Sequence, residues 1–277
     1  TAVGSQAGLV ISTGVQNTIL GATAGDALTD ADYNVAIGFQ ALTADTLGSR
    51  SVAIGYNALL TQNFTTATDS YNVAIGFAAG EGVTTGNKTV YIGGLAGDSA
   101  TDGDHNVIIG YNSDLQSAGT AQVIVIGSQV TSQAANNFTF GFGATDSNIA
   151  FGGTTITAPS DERYKENIED STAGLSFIND LRPVTFQWKK EKDVPSDHKA
   201  YVEGSEDRVM QSQGETNHGF IAQEVKAAID NHAELKDGFG MWSEDPVDGR
   251  QRLGDGALIP MLVKAIQELS AEIETLK

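Results

Sequence analysis

The chain has 277 residues, no cysteine and a formal net charge of −19. This length favours about two domains, and the lack of cysteine excludes a disulfide framework. The acidity argues against nucleic acid as a partner, because the phosphate backbone is bound through Lys and Arg. No apolar run approaches the ~20 residues of a membrane-spanning helix, so we expect no membrane insertion. Because the sequence opens on Thr1 instead of Met, we expect a fragment of a longer chain.

The first half repeats a short apolar tetrad that ends in glycine. Successive glycines lie 17 residues apart, except for one interval of 21 residues between Gly55 and Gly76. Each tetrad has the composition of a strand that a bend terminates, and turn residues fill the segments between them. A repeat of this length is too short for a propeller blade or a helical repeat and predicts a β-solenoid. The tetrads are Thr18–Gly21, Val35–Gly38, Val52–Gly55, Val73–Gly76, Val90–Gly93, Val107–Gly110 and Ile124–Gly127.

Three residues after each glycine the side chain is small in six repeats, until Val130 breaks the rule, which indicates a crowded interior. The long interval predicts a bulging loop at residues 63–65. Stacked turns rise ~4.8 Å each, so seven turns give a rod about 30 Å long. Over roughly residues 15–145 the tetrads resemble the head repeats of trimeric bacterial adhesins and of many phage fibres.

Residues 136–158 keep the alternation of apolar and polar residues but lose the period. Two interpretations stay open: a tapering end whose aromatic residues fill a trimer axis, and a cap that seals the last turn. We predict no enzymatic activity for this half, because glycoside cleavage needs two carboxylates at a defined separation and only Glu81 and scattered turn aspartates are present. Residues 98–104 lack the bidentate glutamate of a calcium loop, so no metal or cofactor is expected.

The composition changes abruptly at residues 159–168. Before them the only basic residues are Arg50 and Lys88, and after them come both tryptophans. The junction carries a hydroxyl on Ser160 and an amine on Lys165, five positions apart. A serine nucleophile needs a base, and a lysine serves only if burial or a cationic neighbour favours its neutral form. We expect Lys165 to be in water in a single chain and to be buried by assembly.

This junction resembles the start of the intramolecular chaperone domain, peptidase family S74, of phage tail fibres and tailspikes. The matching residues there are Ser160–Asp161, Arg163, Lys165 and Asn167–Ile168, while Tyr164 departs from the usual aliphatic residue. Two further blocks match in order, Gly219–Val225 and Leu258–Leu269.

The resemblance implies a chaperone that drives trimer assembly and then releases itself. Carried onto this chain, the cut lies between Ser160 and Asp161, with Ser160 and Lys165 as the catalytic pair of a single-turnover serine endopeptidase. A serine that attacks its own carbonyl carbon would close a four-membered ring. Attack from a neighbouring subunit, an acyl shift and participation of Asp161 therefore stay open.

The second half alternates predicted helices and strands. We predict a helix at residues 173–181, a strand at 184–188, a mobile insertion at 189–217, a helix at 221–229 and a last helix that begins near Ala257. The last helix carries a seam at heptad spacing. The residue types of the seam favour a coiled coil of two helices, whereas the family resemblance implies three helices, which we prefer. The seam residues are Leu262, Ile266, Leu269, Ile273 and Leu276.

We therefore expect a mainly β solenoid fibre segment over residues 1–159 and a mixed α+β chaperone domain over 160–277 that ends in a long helix. The predicted function is a homotrimeric phage tail fibre or spike segment, assembled in the host cytoplasm and carried on the virion, that binds a host-surface glycan or protein receptor. The alternative is a trimeric bacterial adhesin head with a non-cleaving C-terminal trimerisation cap.

Overall fold

The computed structural model describes residues 1–210, 215–235 and 239–277. These residues form two compact units, Thr1–Tyr164 and Lys165–Lys277. The division lies inside the predicted junction and close to the predicted domain boundary between residues 159 and 160. Within the described part of the chain, no helix combines the length and hydropathy that a membrane span requires.

The first unit is a β-solenoid, as the repeat predicts. Ten strands form one sheet in the order β1-β2-β3-β5-β7-β8-β9-β10-β11-β12, and β4 and β6 pair separately. All neighbours in the large sheet run parallel, except β12, which is antiparallel to β11. The strands are β1 (Ala2–Val3), β2 (Thr18–Leu20), β3 (Val35–Ile37), β4 (Gly48–Ser49), β5 (Val52–Ile54), β6 (Thr68–Asp69), β7 (Val73–Ile75), β8 (Val90–Ile92), β9 (Val107–Ile109), β10 (Val123–Ser128), β11 (Asn137–Phe142) and β12 (Ser147–Ala150).

Each tetrad stacks on the equivalent residues of the next, so that Val35 pairs with Val52 and Ile37 with Ile54. The second residue of every tetrad points inward, because side chains alternate along a strand. The residue three positions after each glycine, Val130 included, is also buried, which confirms the predicted crowded interior. These two columns are Ile19, Ala36, Ala53, Ala74, Tyr91, Ile108 and Val125, and Ala24, Ala41, Ala58, Ala79, Ala96, Ser113 and Val130.

Large and small residues compensate within this core. Ala36 shares its turn with the buried Leu42. Tyr91 shares its turn with Gly97, where an added Cβ would lie 2.4 Å from the phenol ring. Its ring also covers Gly80 of the preceding turn, where a Cβ would approach it to 2.8 Å. A large side chain in one column is thus accommodated by glycine beside it, as the close packing of protein interiors requires.

A ladder of buried asparagines closes the corner before the tetrads. Each side-chain amide donates to a backbone carbonyl 14 residues ahead at 2.7–2.9 Å. Each side-chain oxygen accepts a backbone N–H one 17-residue turn ahead at 2.8–3.2 Å. Both ends of every amide are therefore satisfied, as burial of a polar group requires. The ladder residues are Asn17, Asn34, Asn72 and Asn106.

The 21-residue interval forms a loop, but its sequence position differs from the prediction. Phe64, expected at the tip, turns inward and is only 6% exposed, while residues 65–67 form the exposed part. The Phe64 backbone N–H donates to Asp45 Oδ1 at 3.0 Å. Gln62 donates to the other Asp45 oxygen at 2.6 Å and accepts from Asn72 at 2.8 Å. Burial raises the pKa of the Asp45 carboxyl, while these hydrogen bonds oppose the shift.

The parallel stack ends at the antiparallel pair β11 and β12. An antiparallel partner breaks the repeat, so this arrangement favours the cap among the two interpretations of residues 136–158. Phe138 and Phe140 are half-buried, with ring centroids 5.0 Å apart, while Phe142 is 64% exposed.

In its described residues the second unit contains three α-helices and two two-stranded antiparallel sheets, in which β13 pairs with β14 and β15 with β16. The predicted helices and strand are present, whereas β14, which contains His218, β15 and β16 were not predicted. The bounds are α1 (Leu175–Asp180), β13 (Val184–Phe186), β14 (Asn217–Gly219), α2 (Ala222–Asn231), β15 (Trp242–Glu244), β16 (Gln251–Leu253) and α3 (Leu258–Thr275).

One compact core joins these elements. Phe177 and Met241 are fully buried, and residues of α2 and the start of α3 pack around them. Glu268 of α3 accepts the Leu175 N–H at 2.8 Å and so caps α1. A Cβ on Gly174 would lie 2.5 Å from that carboxylate, so the cap depends on a glycine at this position.

The predicted mobile insertion is internally bonded where it is described. The backbones of Lys190 and Arg208 form an isolated antiparallel β-bridge, and the N–H of Val209 donates to the Lys189 carbonyl at 3.0 Å. Lys190 and Lys192 both pair with Glu206. Residues 211–214 of the predicted insertion lie outside the described residues.

Candidate functional site

The junction forms one tight turn that follows the predicted scissile bond. A 3-10 helix spans Glu162–Tyr164, and the Tyr164 N–H donates to the Asp161 carbonyl at 3.1 Å. Tyr164 is 76% exposed and Ile168 is 64% exposed. These two large apolar side chains, one from each compact unit, are therefore left in water in a single chain, although apolar burial is the main stabilising term in folding and association.

Arg163 holds the carboxylate on the leaving side of the bond. Its Nη2 lies 2.6 Å from Asp161 Oδ2, its Nε lies 3.0 Å from Oδ1, and its backbone N–H donates to Oδ1 at 2.9 Å. The Arg163 side-chain hydrogen bonds lower the pKa of the Asp161 carboxyl. Asp161 is thus stabilised as an anion. The sequence analysis matched Arg163 to the family motif but gave it no role. An arginine two residues after an aspartate at a turn is the pattern from which this ion pair could have been predicted.

Ser160 and Lys165 are both exposed. Ser160 lies in the first compact unit and Lys165 begins the second. The pairing of the serine hydroxyl with the lysine amine therefore stays a prediction, as does the role of Asp161.

A cavity of about 670 Å³ lies elsewhere, within the second unit. Its walls are largely apolar and include Phe186, Trp188 and Phe220, and the residues Arg250 and Arg252 also line it. None of Ser160, Asp161 and Lys165 lines it. Across the described ranges no group of three or more His, Cys, Asp or Glu residues is placed to hold a metal ion.

The predicted heptad seam on α3 is exposed. Leu258 and Ala265, which lie beside the seam on the same side of the helix, are buried. The five seam residues are 42–86% exposed and run along one side of the helix. Such a row of apolar side chains is the kind that a parallel helix partner covers.

Comparison with known proteins gives one result for this region. Residues 160–234 match the model of the Peptidase_S74 family, described as chaperone of endosialidase. Residues 160–234 are therefore similar to the peptidase S74 family. The match begins at Ser160 and includes the predicted junction and the block Gly219–Val225, while the block in α3 lies beyond it. No curated protein and no solved structure matched the chain.

The match confirms the resemblance drawn from the sequence. The peptidase S74 family is a self-cleaving family, and a chaperone region of this type after a β-solenoid supports a protein of the tail-fibre or spike type. This association with phage tail fibres suggests a virion component.

Proposed function

We propose that the chain is a segment of a trimeric phage tail fibre or spike that binds a host surface. In this proposal the S74 region aligns three chains during assembly and then cuts itself off between Ser160 and Asp161. The observation that carries the proposal is the start of the family match at Ser160, directly after the solenoid.

The chemistry assigns one task to each junction residue. Ser160 Oγ of a neighbouring chain attacks the Ser160 carbonyl carbon, which avoids the four-membered ring of self-attack, and Lys165 accepts the hydroxyl proton once assembly has removed the amine from water, because desolvation favours the neutral form. As the C–N bond breaks, the Lys165 ammonium returns this proton to the amide nitrogen of Asp161, whose carboxylate Arg163 holds as an anion. Water then hydrolyses the ester with Lys165 again as base, which frees the attacking hydroxyl and leaves a carboxylate on Ser160. The exposed Tyr164 and Ile168 each offer an apolar side chain for assembly to bury.

The test is the state of the purified full chain on a denaturing gel with intact mass measurement. We expect two fragments, one ending at Ser160 and one beginning at Asp161. The Ser160→Ala and Lys165→Ala variants are expected to assemble and to stay full length. Lys189→Ala, which removes an amine elsewhere in the second unit, serves as the matched control and should be cleaved like the parent chain.

Cleavage of either junction variant at the parent rate would remove that residue from the mechanism. A parent chain that assembles into trimers but is never cleaved would instead favour the adhesin head with a permanent trimerisation cap. The exposed seam of α3 suits that alternative equally well, since both functions use the helix to gather chains.

A further inference from the structure

The solenoid carries an apolar strip on the outer face of its large sheet. The strip covers the six turns from Tyr33 to Ser128. Each turn contributes four positions: the residue two before the tetrad, the first and third residues of the tetrad, and the residue after the tetrad's glycine. The first and third tetrad residues are Val or Ile throughout. They are half-buried by their neighbours on the sheet, and Ile75 and Ile126 remain 37% and 43% exposed.

Aromatic rings extend the strip beyond the glycines. Phe39, Tyr56 and Phe77 stack on one another with ring centroids 5.3 and 5.2 Å apart, and each is 43–57% exposed. On the other edge the guanidinium of Arg50 lies 4.7 Å from the Tyr33 ring and 5.7 Å from the Tyr71 ring. Strand spacings give a surface on the order of 500 Å², within the 300–600 Å² that the largest and often functional patch of a monomer covers.

The strip contains no acidic residue. Residues 1–159 hold eleven Asp and Glu residues, yet none occupies any of the 24 strip positions. Both basic residues of that segment, Arg50 and Lys88, lie on the strip. In a chain with a net charge of −19, this is the face on which two copies can meet without repulsion between carboxylates.

The partner is further specified by the period of the surface. The rows of Val, Ile and aromatic side chains repeat at the ~4.8 Å spacing of strands over six turns. A partner must offer the same spacing over the same length to interdigitate with all of them, and a second copy of this chain does so. A parallel sheet is also characteristically covered on both faces, whereas here only the inner face is covered by the chain itself.

From these observations we propose that the strip is the interface through which solenoids of three copies pack together. The inference rests on the proposed trimeric function and goes beyond it by naming the face. The strips lie toward the trimer axis, and the turns rich in Asp, Thr and Asn lie outward, where they are available to solvent and receptor.

The test uses the absence of native cysteine. The full-length chain carries Ser160→Ala, so that it is not cleaved. Single cysteines are then introduced on the strip by Ile75→Cys or Ile126→Cys, and in an exposed turn off the strip by Thr85→Cys as the control. Sedimentation equilibrium gives the number of chains of 28.9 kDa in each assembly. The rate at which a bulky maleimide reacts with each thiol is measured in the folded assembly. This rate is divided by the rate for the same thiol in denaturant, which corrects for its intrinsic reactivity.

We expect trimers in which both strip thiols react at least tenfold more slowly than the control thiol. Trimers whose strip thiols react as fast as the control would overturn the interface and leave the proposed trimeric fibre intact. Monomers would overturn both proposals. The second strip position guards against a local disturbance at Ile75, because the two lie three turns apart in the stack.

Discussion

At the scale of single residues, the solenoid core is a stack of fixed cross-section in which one large side chain requires glycines beside it. Tyr91 is the largest fully buried side chain, and it stands where three other tetrads carry alanine. Gly97 has a φ of +62° and directly faces its ring. Burial raises the pKa of Tyr91 to about 12, so the phenol stays neutral.

The prediction at this scale concerns Gly97→Ala. The added methyl meets the Tyr91 ring and must adopt a left-handed backbone conformation, so we expect a loss of unfolding free energy of roughly 2–4 kcal/mol from overpacking and strain. In a Tyr91→Ala background, which itself costs about 3–5 kcal/mol, the same change should cost only about 1 kcal/mol. Denaturant unfolding followed by circular dichroism measures both values.

Gly143→Ala is the matched control, because its φ of +53° is also left-handed but its added Cβ meets no atom within 4 Å. It should therefore cost only about 1 kcal/mol, from the left-handed backbone conformation alone. Equal costs of Gly97→Ala in the two backgrounds would show that the Tyr91 ring is not what excludes the methyl.

The sequence allows the tetrads to be predicted but not this pairing of volumes. The 17-residue spacing of glycines identifies the strands, and alternation identifies the inward position. Which residues pack against the Tyr91 ring depends on how neighbouring turns stack in space. Gly80, for example, contacts the ring from the preceding turn, and spacing within one repeat does not predict such a contact. The asparagine ladder could have been predicted from the sequence, because an asparagine stands directly before four of the tetrads. These residues are Asn17, Asn34, Asn72 and Asn106.

At the scale of elements, His232 connects the ends of two helices. It follows α2, its Nε2 lies 2.9 Å from Asp180 at the end of α1, and its Nδ1 lies 3.1 Å from Glu234. The ring also packs edge-on against Phe177 with centroids 5.4 Å apart. The hydrogen bond with Asp180, followed by that with Glu234, raises the pKa of His232. A cation here also suits the negative end of α2.

The second prediction follows from the sign of that shift. A raised pKa in the folded state means that the stabilisation is fully present below the unfolded pKa of about 6.5 and is lost as the pH rises through the folded pKa. We therefore expect the second unit to lose stability, by the roughly 1 kcal/mol typical of a charge at a helix end, as the pH rises from about 6.5 through the raised folded pKa, and His232→Gln to flatten this dependence. Tryptophan fluorescence isolates this unit, because Trp188 and Trp242 both lie in it.

His218→Gln is the control, because it makes the same side-chain change at an exposed histidine, and the pH dependence assigned to His232 should persist in it. A nuclear magnetic resonance titration that places the His232 pKa at or below its ordinary value would contradict the assigned role.

The elements that sequence reasoning missed are those without an internal pattern. The hairpin of β15 and β16 shows no apolar alternation: apart from the Trp242–Leu253 pair, its residues are polar. Trp242 Nε1 donates to Gln251 at 3.1 Å, and Arg252 pairs with Asp245 at 3.0 Å. Short strands of this kind depend on tertiary contacts more than on intrinsic preference, so composition alone does not identify them. The periodic helices α2 and α3 were predicted for the opposite reason.

At the scale of the whole molecule, the difficulty for assembly is register. Five of the six intervals between tetrad glycines are equal, and the tetrads pair residue for residue from one turn to the next. Three chains shifted by one turn along the proposed strip would bury nearly the same Val and Ile side chains. Repeats of nearest-neighbour contacts specify their long-range register weakly. The non-repeating features that oppose a shift are the Phe64 loop and the pair β11 and β12.

This argument leads to the last prediction, which concerns residues 1–160 produced with and without the S74 region. A C-terminal chaperone that aligns three ends before the solenoids stack removes the shifted arrangements, and the finished rod then persists behind a high unfolding barrier. Residues 1–160 expressed alone should therefore give misregistered or aggregated material. The same segment released from the full chain should stay trimeric and resist heating. Sedimentation and thermal melting of both preparations decide the matter, and a truncated segment that folds unaided into an identical trimer would show that residues 161–277 do not act as its chaperone.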